Sequence, residues 1–340
     1  MSYTHIFPRR AIAWWLLVCC TLTFSIVVVG GVTRLTRSGL SITEWKPVTG
    51  TLPPMNDADW NDAFTKYQAT PEYQLVNKGM SLGEFKGIFW WEYIHRLLGR
   101  LIGIAFMLPF LYFLARRQIH RALAIRLAFL LLLIGFQGFL GWYMVKSGLV
   151  NEPHVSHLRL TAHLGLAVLL YIAMLRTALQ IFFPPMSQSA GFKWKSLRLV
   201  IAVYAMMLSG ALVAGLKAGK MFNTFPLMGG RVIPVDFWGL DPWYKNFLDN
   251  AVSVQFEHRL FAWVLFFWIP LYVIRNRSTF AANVRLQRSA WLLVAALVLQ
   301  ITLGIVTLLL IVPVSIAALH QAGAMILLTA AIWHAHFAPE

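Results

Sequence analysis

The sequence predicts an all-α integral membrane protein whose eight transmembrane helices form two pseudo-two-fold-related four-helix bundles. Three observations predict it. Of 340 residues, 59% are hydrophobic and 12% charged, with a mean hydropathy of +0.65, whereas soluble domains run at roughly 45–50% and 25%. Eight apolar stretches reach the length of about 20 residues that a bilayer crossing needs. The second half of the chain also repeats the first. Too little polar surface remains for a soluble enzyme or a disordered chain.

The expected spans lie near residues 12–32, 92–114, 122–145, 157–182, 197–217, 254–274, 287–312 and 314–337. Pro313 marks the tight turn between the last two. Cys19 and Cys20 are neighbours inside the first span and point apart on a helix, which suits packing rather than a disulfide. With eight spans both termini share a side, and the basic residues say which. One face carries fourteen cations and a single acid, Glu340; the other carries fifteen cations and the remaining twelve acids. The strongly positive face is expected to be cytoplasmic. The net charge of +16 is therefore a topology signal, and no nucleic-acid partner follows from it. The short stretch before the first span, without a cleavage site or transit-peptide composition, points to a retained helix in a bacterial inner membrane.

Two connections on the outer side are long. The first, about 33–90, has its own helix starts: Asp57-Ala-Asp-Trp, and a capping box at Ser81-Leu-Gly-Glu84. A loop of this length is expected to be a lid or to be functional in another way. The second, about 218–253, carries Pro226, Gly229, Gly230, Pro234 and Trp238.

The duplication is read from matched residues. Glu92-Tyr-Ile-His95-Arg96-Leu97 aligns with Gln255-Phe-Glu-His258-Arg259-Leu260, and Gln137 to Gly141 with Gln300 to Gly304, both at an offset of 163. Gly30 and Gly39 match Gly210 and Gly219 at 180, and Pro47 and Gly50 match Pro226 and Gly229 at 179. The expected domains are an N-terminal half, residues 1–182, holding the long outer loop, and a C-terminal half, 197–340.

Of ten histidines, His5, His120, His334 and His336 fall near cytoplasmic ends, where water can reach them. His154 and His157 lie in or beside an outer loop. His95, His163, His258 and His320 sit within spans two, four, six and eight, roughly 5–10 Å below the outer interface at 1.5 Å per residue. Gly99, Gly103 and Gly165 lie near one pair and Gly323 near the other, leaving room for a flat ligand. Two imidazoles from facing helices hold a haem iron from both sides. A zinc ion would want further ligands, and Glu92 is the only candidate nearby. Glu92 lies at i−3 from His95, on the same helical face, while its counterpart is Gln255. Glu257, at i−1 from His258, reads as an interfacial acid. One reactive and one spectator haem fit this asymmetry. Arg96 and Arg259 are candidates for pairing with propionates, with snorkelling as the plainer alternative.

Residues 31–50 (GVTRLTRSGLSITEWKPVTG), Glu92-Tyr-Ile-His-Arg96, Phe222-Asn-Thr-Phe-Pro-Leu-Met-Gly229 and Phe256-Glu-His-Arg259 resemble the haem A synthase family over nearly the whole chain. The resemblance implies oxidation of the C8 methyl of haem O to a formyl group by successive hydroxylations, for cytochrome c oxidase assembly. It implies haem b as cofactor on His258 and His320, haem O on His95 and His163, and Glu92 as catalytic acid/base. Haem O synthase and oxidase assembly factors are the partners it implies, with an unidentified electron partner; self-association stays open. Some members carry a cysteine pair in the first outer loop, but this chain has no cysteine between 33 and 90, so it is similar to the class lacking that pair. A dihaem b-type electron carrier is the alternative. Such a relay across the membrane needs irons at two depths, whereas these four histidines share one.

Overall fold

A computed structural model of the chain describes residues 6–45, 49–149, 153–183, 190–281 and 283–337. His5, Pro47 and Glu340 lie outside the described residues. Among those described, the structure is helical, with no strand beyond an isolated bridge between Met228 and Arg231. Eight helices are long and apolar enough to cross a membrane.

Helix α1 (Ile6–Leu35) is the first span. Arg37 then takes a left-handed φ of 55°, and the chain turns as Ser38 N donates to Thr33 O at 2.8 Å. Helix α2 (Asp57–Gln68) starts where the sequence signals it, with Asn56 accepting from Asp59 N. Helix α3 (Pro71–Leu75) has Thr70 as cap and proline in its first turn. Helix α4 (Leu82–Ala115) begins at the Ser81–Glu84 capping box. The second span thus starts ten residues earlier than residue 92, where hydropathy placed it. Those extra turns are held by aromatic packing: Trp60 and Tyr67 of α2 form a small buried core with Phe85, Phe89 and Tyr93 of α4. Tyr93 also donates to Thr51 O at 2.6 Å.

Helices α5 (Arg121–Lys146) and α6 (His157–Phe182) complete the first four spans. Helix α7 (Ala190–Gly215) opens the second set. The connection after it contains short turns and helix α8 (Asn246–Asp249), and leads into α9 (Ala251–Arg275). Asn246 and Asn250 organise this connection: Asn246 bonds to both polar atoms of Leu240, and Asn250 Nδ2 donates to Asp236 O at 2.8 Å. Helices α10 (Arg277–Ala281), α11 (Val284–Leu309) and α12 (Val314–Phe337) follow. In the α11–α12 turn Ile311 and Val312 both hold φ of 60°. Left-handed backbone is strained for branched residues, and the bond from Val312 N to Thr307 O, 2.8 Å, holds it.

The chain divides into two compact units, one of residues 18–170, the other of the residues before 18 and after 170. In the first, α4 packs on α5 and α2; in the second, α12 packs on α11 and α7, and α7 on α9. Cys19 and Cys20 are buried and form no disulfide, as packing residues should be. His334 departs from expectation. It is fully buried, with Nδ1 2.8 Å from Ser289 Oγ and Nε2 3.0 Å from the Tyr272 hydroxyl, itself 3.1 Å from Ser196 Oγ. Three other helices supply the polar partners that water was expected to supply. His336 is likewise half-buried, with Nε2 2.9 Å from Phe183 O.

Candidate haem-binding sites

Each unit assembles a pair of histidines. His95 stands on α4 and His163 on α6, near enough to interact electrostatically; His258 on α9 and His320 on α12 are paired in the same way. Among the described residues no group of three or more His, Cys, Asp or Glu could hold a metal ion. The chemistry on offer is two neutral-nitrogen ligands per unit, which suits an iron whose other four ligands come from a porphyrin.

Glycines make the room. A Cβ added at Gly30 of α1 would meet His95 Nε2 at 3.0 Å, and one at Gly141 of α5 would meet His163 Cε1 at 3.0 Å. In the other unit, Gly210 of α7 stands in the same relation to His258 (3.2 Å) and Gly304 of α11 to His320 (2.9 Å). The four glycines form two repeat-equivalent pairs, and each leaves room for an imidazole edge against the neighbouring helix. Sequence reasoning used them to define the duplication and missed this role; their spacing from the histidines was the available signal. By contrast, a Cβ at Gly103 would meet nothing within 4 Å, and one at Gly99 only Ile26, at 3.6 Å. Gly323 makes space for the side chains of Gln300 and Leu303.

A glutamine attends one histidine in each unit. Gln137 Nε2 lies 3.2 Å from His163 Nδ1 and donates to its carbonyl at 2.9 Å; Gln300 Nε2 lies 3.2 Å from His320 Nδ1. The Oε1 atoms of Gln137 and Gln300, Glu257 Oε1 and Arg259 Nε are buried without a hydrogen-bond partner. Glu257, expected as an interfacial acid, therefore has a shielded oxygen beside the second pair. Buried polar atoms without partners are uncommon. Their gathering next to cradled imidazoles fits a pocket built around a large polar-edged ligand.

Glu92 and the two arginines are engaged by the two long loops. Glu92 is buried, and its Oε2 accepts from Ser41 Oγ at 2.7 Å and Ile42 N at 2.8 Å. Its Oε1 accepts from Arg96 Nε at 3.0 Å and Nη2 at 2.6 Å. Arg96 also donates to the carbonyls of Ile42 (2.8 Å) and Glu44 (3.1 Å). Arg259 donates to Phe222 O at 2.6 Å and Thr224 O at 2.8 Å. Those loop residues correspond at the 180-residue offset, so the duplication extends from the histidines to the loops above them. The arginines considered for propionate contact thus secure loop backbone, and Arg259 keeps its Nε in reserve. His154 is exposed and His157 opens α6, almost two turns before His163.

Residues 13–332 match the family described as cytochrome oxidase assembly protein. The heme A synthase of Nitrosospira multiformis is 53% identical over 334 residues, covering 96% of this chain and 93% of the relative. The chain belongs to the haem A synthase family. The heme A synthase of Nitrosomonas eutropha is 51% identical over 332 residues, 95% of this chain and 92% of the relative. That of Parvibaculum lavamentivorans is 48% identical over 329 residues, 96% and 94%. Membership thus covers both units and all eight spans of this haem A synthase family chain.

Proposed function

We propose that this chain oxidises the C8 methyl of haem O to a formyl group, producing haem A for cytochrome c oxidase. The observation that carries the reading is the pair of glycine-cradled imidazoles built twice, with the loop above one held by a carboxylate, Glu92, where the loop above the other is held by Gln255. His258 and His320 hold haem b; His95 and His163 hold haem O. Bound haem b supplies one-electron redox chemistry. Arg96 and Glu92 close residues 41–44 over the helix that carries His95. Glu92 is the acid/base of the reaction, and the four donors around it aim its carboxylate. Arg259 Nε is available for a haem propionate. The basic bias of one face supports a bacterial inner-membrane location with cytoplasmic termini, and the cofactor and substrate partners follow from the same reading.

The test is chromatography of haems extracted from protein purified out of a haem O-producing host. Haem B together with haem O, a hydroxylated derivative or haem A is the expected result. His258→Ala or His320→Ala should remove haem B, and His95→Ala or His163→Ala should remove the others. Haem B alone, filling both pairs, would overturn the assignment in favour of an electron carrier.

A further inference from the structure

The two histidine pairs differ in the partner of one ring nitrogen. His258 Nδ1 lies 2.8 Å from Ser209 Oγ, on the residue just before the glycine that cradles the ring. The same hydroxyl lies 2.8 Å from Met206 O and 3.7 Å from Met206 Sδ. A serine hydroxyl has one proton, and a carbonyl can only accept. Both short contacts are satisfied together when the hydroxyl donates to Met206 O and His258 Nδ1–H donates to the hydroxyl. That arrangement leaves the lone pair on Nε2, the tautomer that binds a metal.

At the offset of 180 that relates Gly30 to Gly210, Ser209 corresponds to Val29. A valine side chain accepts no hydrogen bond, so His95 has no such anchor. The glutamines do not distinguish the units, because Gln137 and Gln300 each stand 3.2 Å from the Nδ1 of the other histidine in their pair. Glu92 and Gln255 do differ, but both bind loop backbone.

We propose that Ser209 is a positioning residue that makes His258 a permanent iron ligand, while Val29 leaves His95 an exchangeable one. The hydroxyl fixes the tautomer and ring orientation, and the hydrogen bond makes Nε2 a stronger donor. The second unit then retains its haem as a prosthetic group, and the first releases its haem as product. The inference rests on the haem assignments proposed above.

Ser209→Ala, Ser209→Thr, Val29→Ser and His258→Ala proteins would be purified beside the wild type. Haem loss to excess apomyoglobin and the midpoint potential of the bound haem would be measured for each. Removing the partner of a ligating histidine costs roughly 10–100-fold in metal affinity. Ser209→Ala should therefore lose haem B roughly tenfold faster, and its potential should rise. A tenfold loss of preference for the ferric state is about 59 mV in a one-electron couple. Ser209→Thr should restore both values, which a packing role alone would not require of the potential. Val29→Ser should slow release from the first unit roughly tenfold. If His258→Ala removes haem B but Ser209→Ala keeps the wild-type rate and potential, the role of Ser209 is wrong. If His258→Ala keeps haem B, the ligand assignment itself has failed, and this inference fails with it.

Discussion

Glu92 and Gln255 grip the same atom of two equivalent loops: Glu92 Oε2 accepts from Ile42 N at 2.8 Å, and Gln255 Oε1 from Phe222 N at 3.2 Å. A glutamine therefore already fits this clamp. Glu92→Gln removes a charge and its bonds from Arg96 while leaving the loop contact available. The variant should fold, bind haem and accumulate haem O or a hydroxylated intermediate, seen by chromatography of extracted haems. Wild-type haem A output would take Glu92 out of the chemistry.

Gly304→Ala tests the cradle. Its Cβ would lie 2.9 Å from His320 Cε1, closer than side chains pack, so either the ring or the α11–α12 spacing must give. The purified variant should lose most of its haem B absorbance while still inserting in the membrane. Gly103→Ala, whose Cβ meets nothing within 4 Å, should bind haem as the wild type does.

The His334 cluster is a matter of stability rather than chemistry. His334→Ala removes one bond each from the Ser289 and Tyr272 hydroxyls, which keep Leu286 O and Ser196 Oγ as partners, and opens a cavity. Each lost hydrogen bond costs about 1 kcal/mol, and the cavity adds to it. A detergent melting curve should show Tm lower by several degrees, with haem content unchanged at room temperature. An unaltered Tm would mean that the hydroxyls find other partners.

Tyr67 in the outer core should ionise late. Burial holds its phenol above the ordinary value near 10, with Glu72 acting in the same direction and a hydrogen bond from Asn77 opposing. A group with a raised folded pKa contributes fully below its unfolded value and loses that contribution as pH rises through the folded one. The α2–α4 core is thus secure at neutral pH and loosens in strong alkali. Ultraviolet titration of wild type minus Tyr67→Phe should isolate one tyrosinate step above pH 10; a step at or below 10 would show that the ring is solvated.

The eight spans were legible because bilayer crossing imposes length and hydropathy on contiguous residues. The histidine pairs were legible because an ionisable residue in an apolar span stands out, and duplication doubled the signal. Partners contributed by other parts of the chain were not. Nothing near His334 names Ser289 or Tyr272, and nothing near Arg96 names the carbonyls of Ile42 and Glu44. The Ser81–Glu84 capping box marked the start of α4, but its continuity with the second span escaped because Phe85 and Phe89 are held by Trp60 and Tyr67 of α2, a contact that hydropathy along the sequence does not register. Ser209 is silent until its distance to His258 is known.

Helix α4 runs for 34 residues, about 51 Å at 1.5 Å per residue, well beyond the roughly 30 Å of hydrocarbon in a bilayer. One unbroken rod therefore carries the aromatic handle of the outer loop at one end and the His95 ring farther along. A displacement of the handle is therefore passed to the His95 ring along helix alone, without crossing a loop.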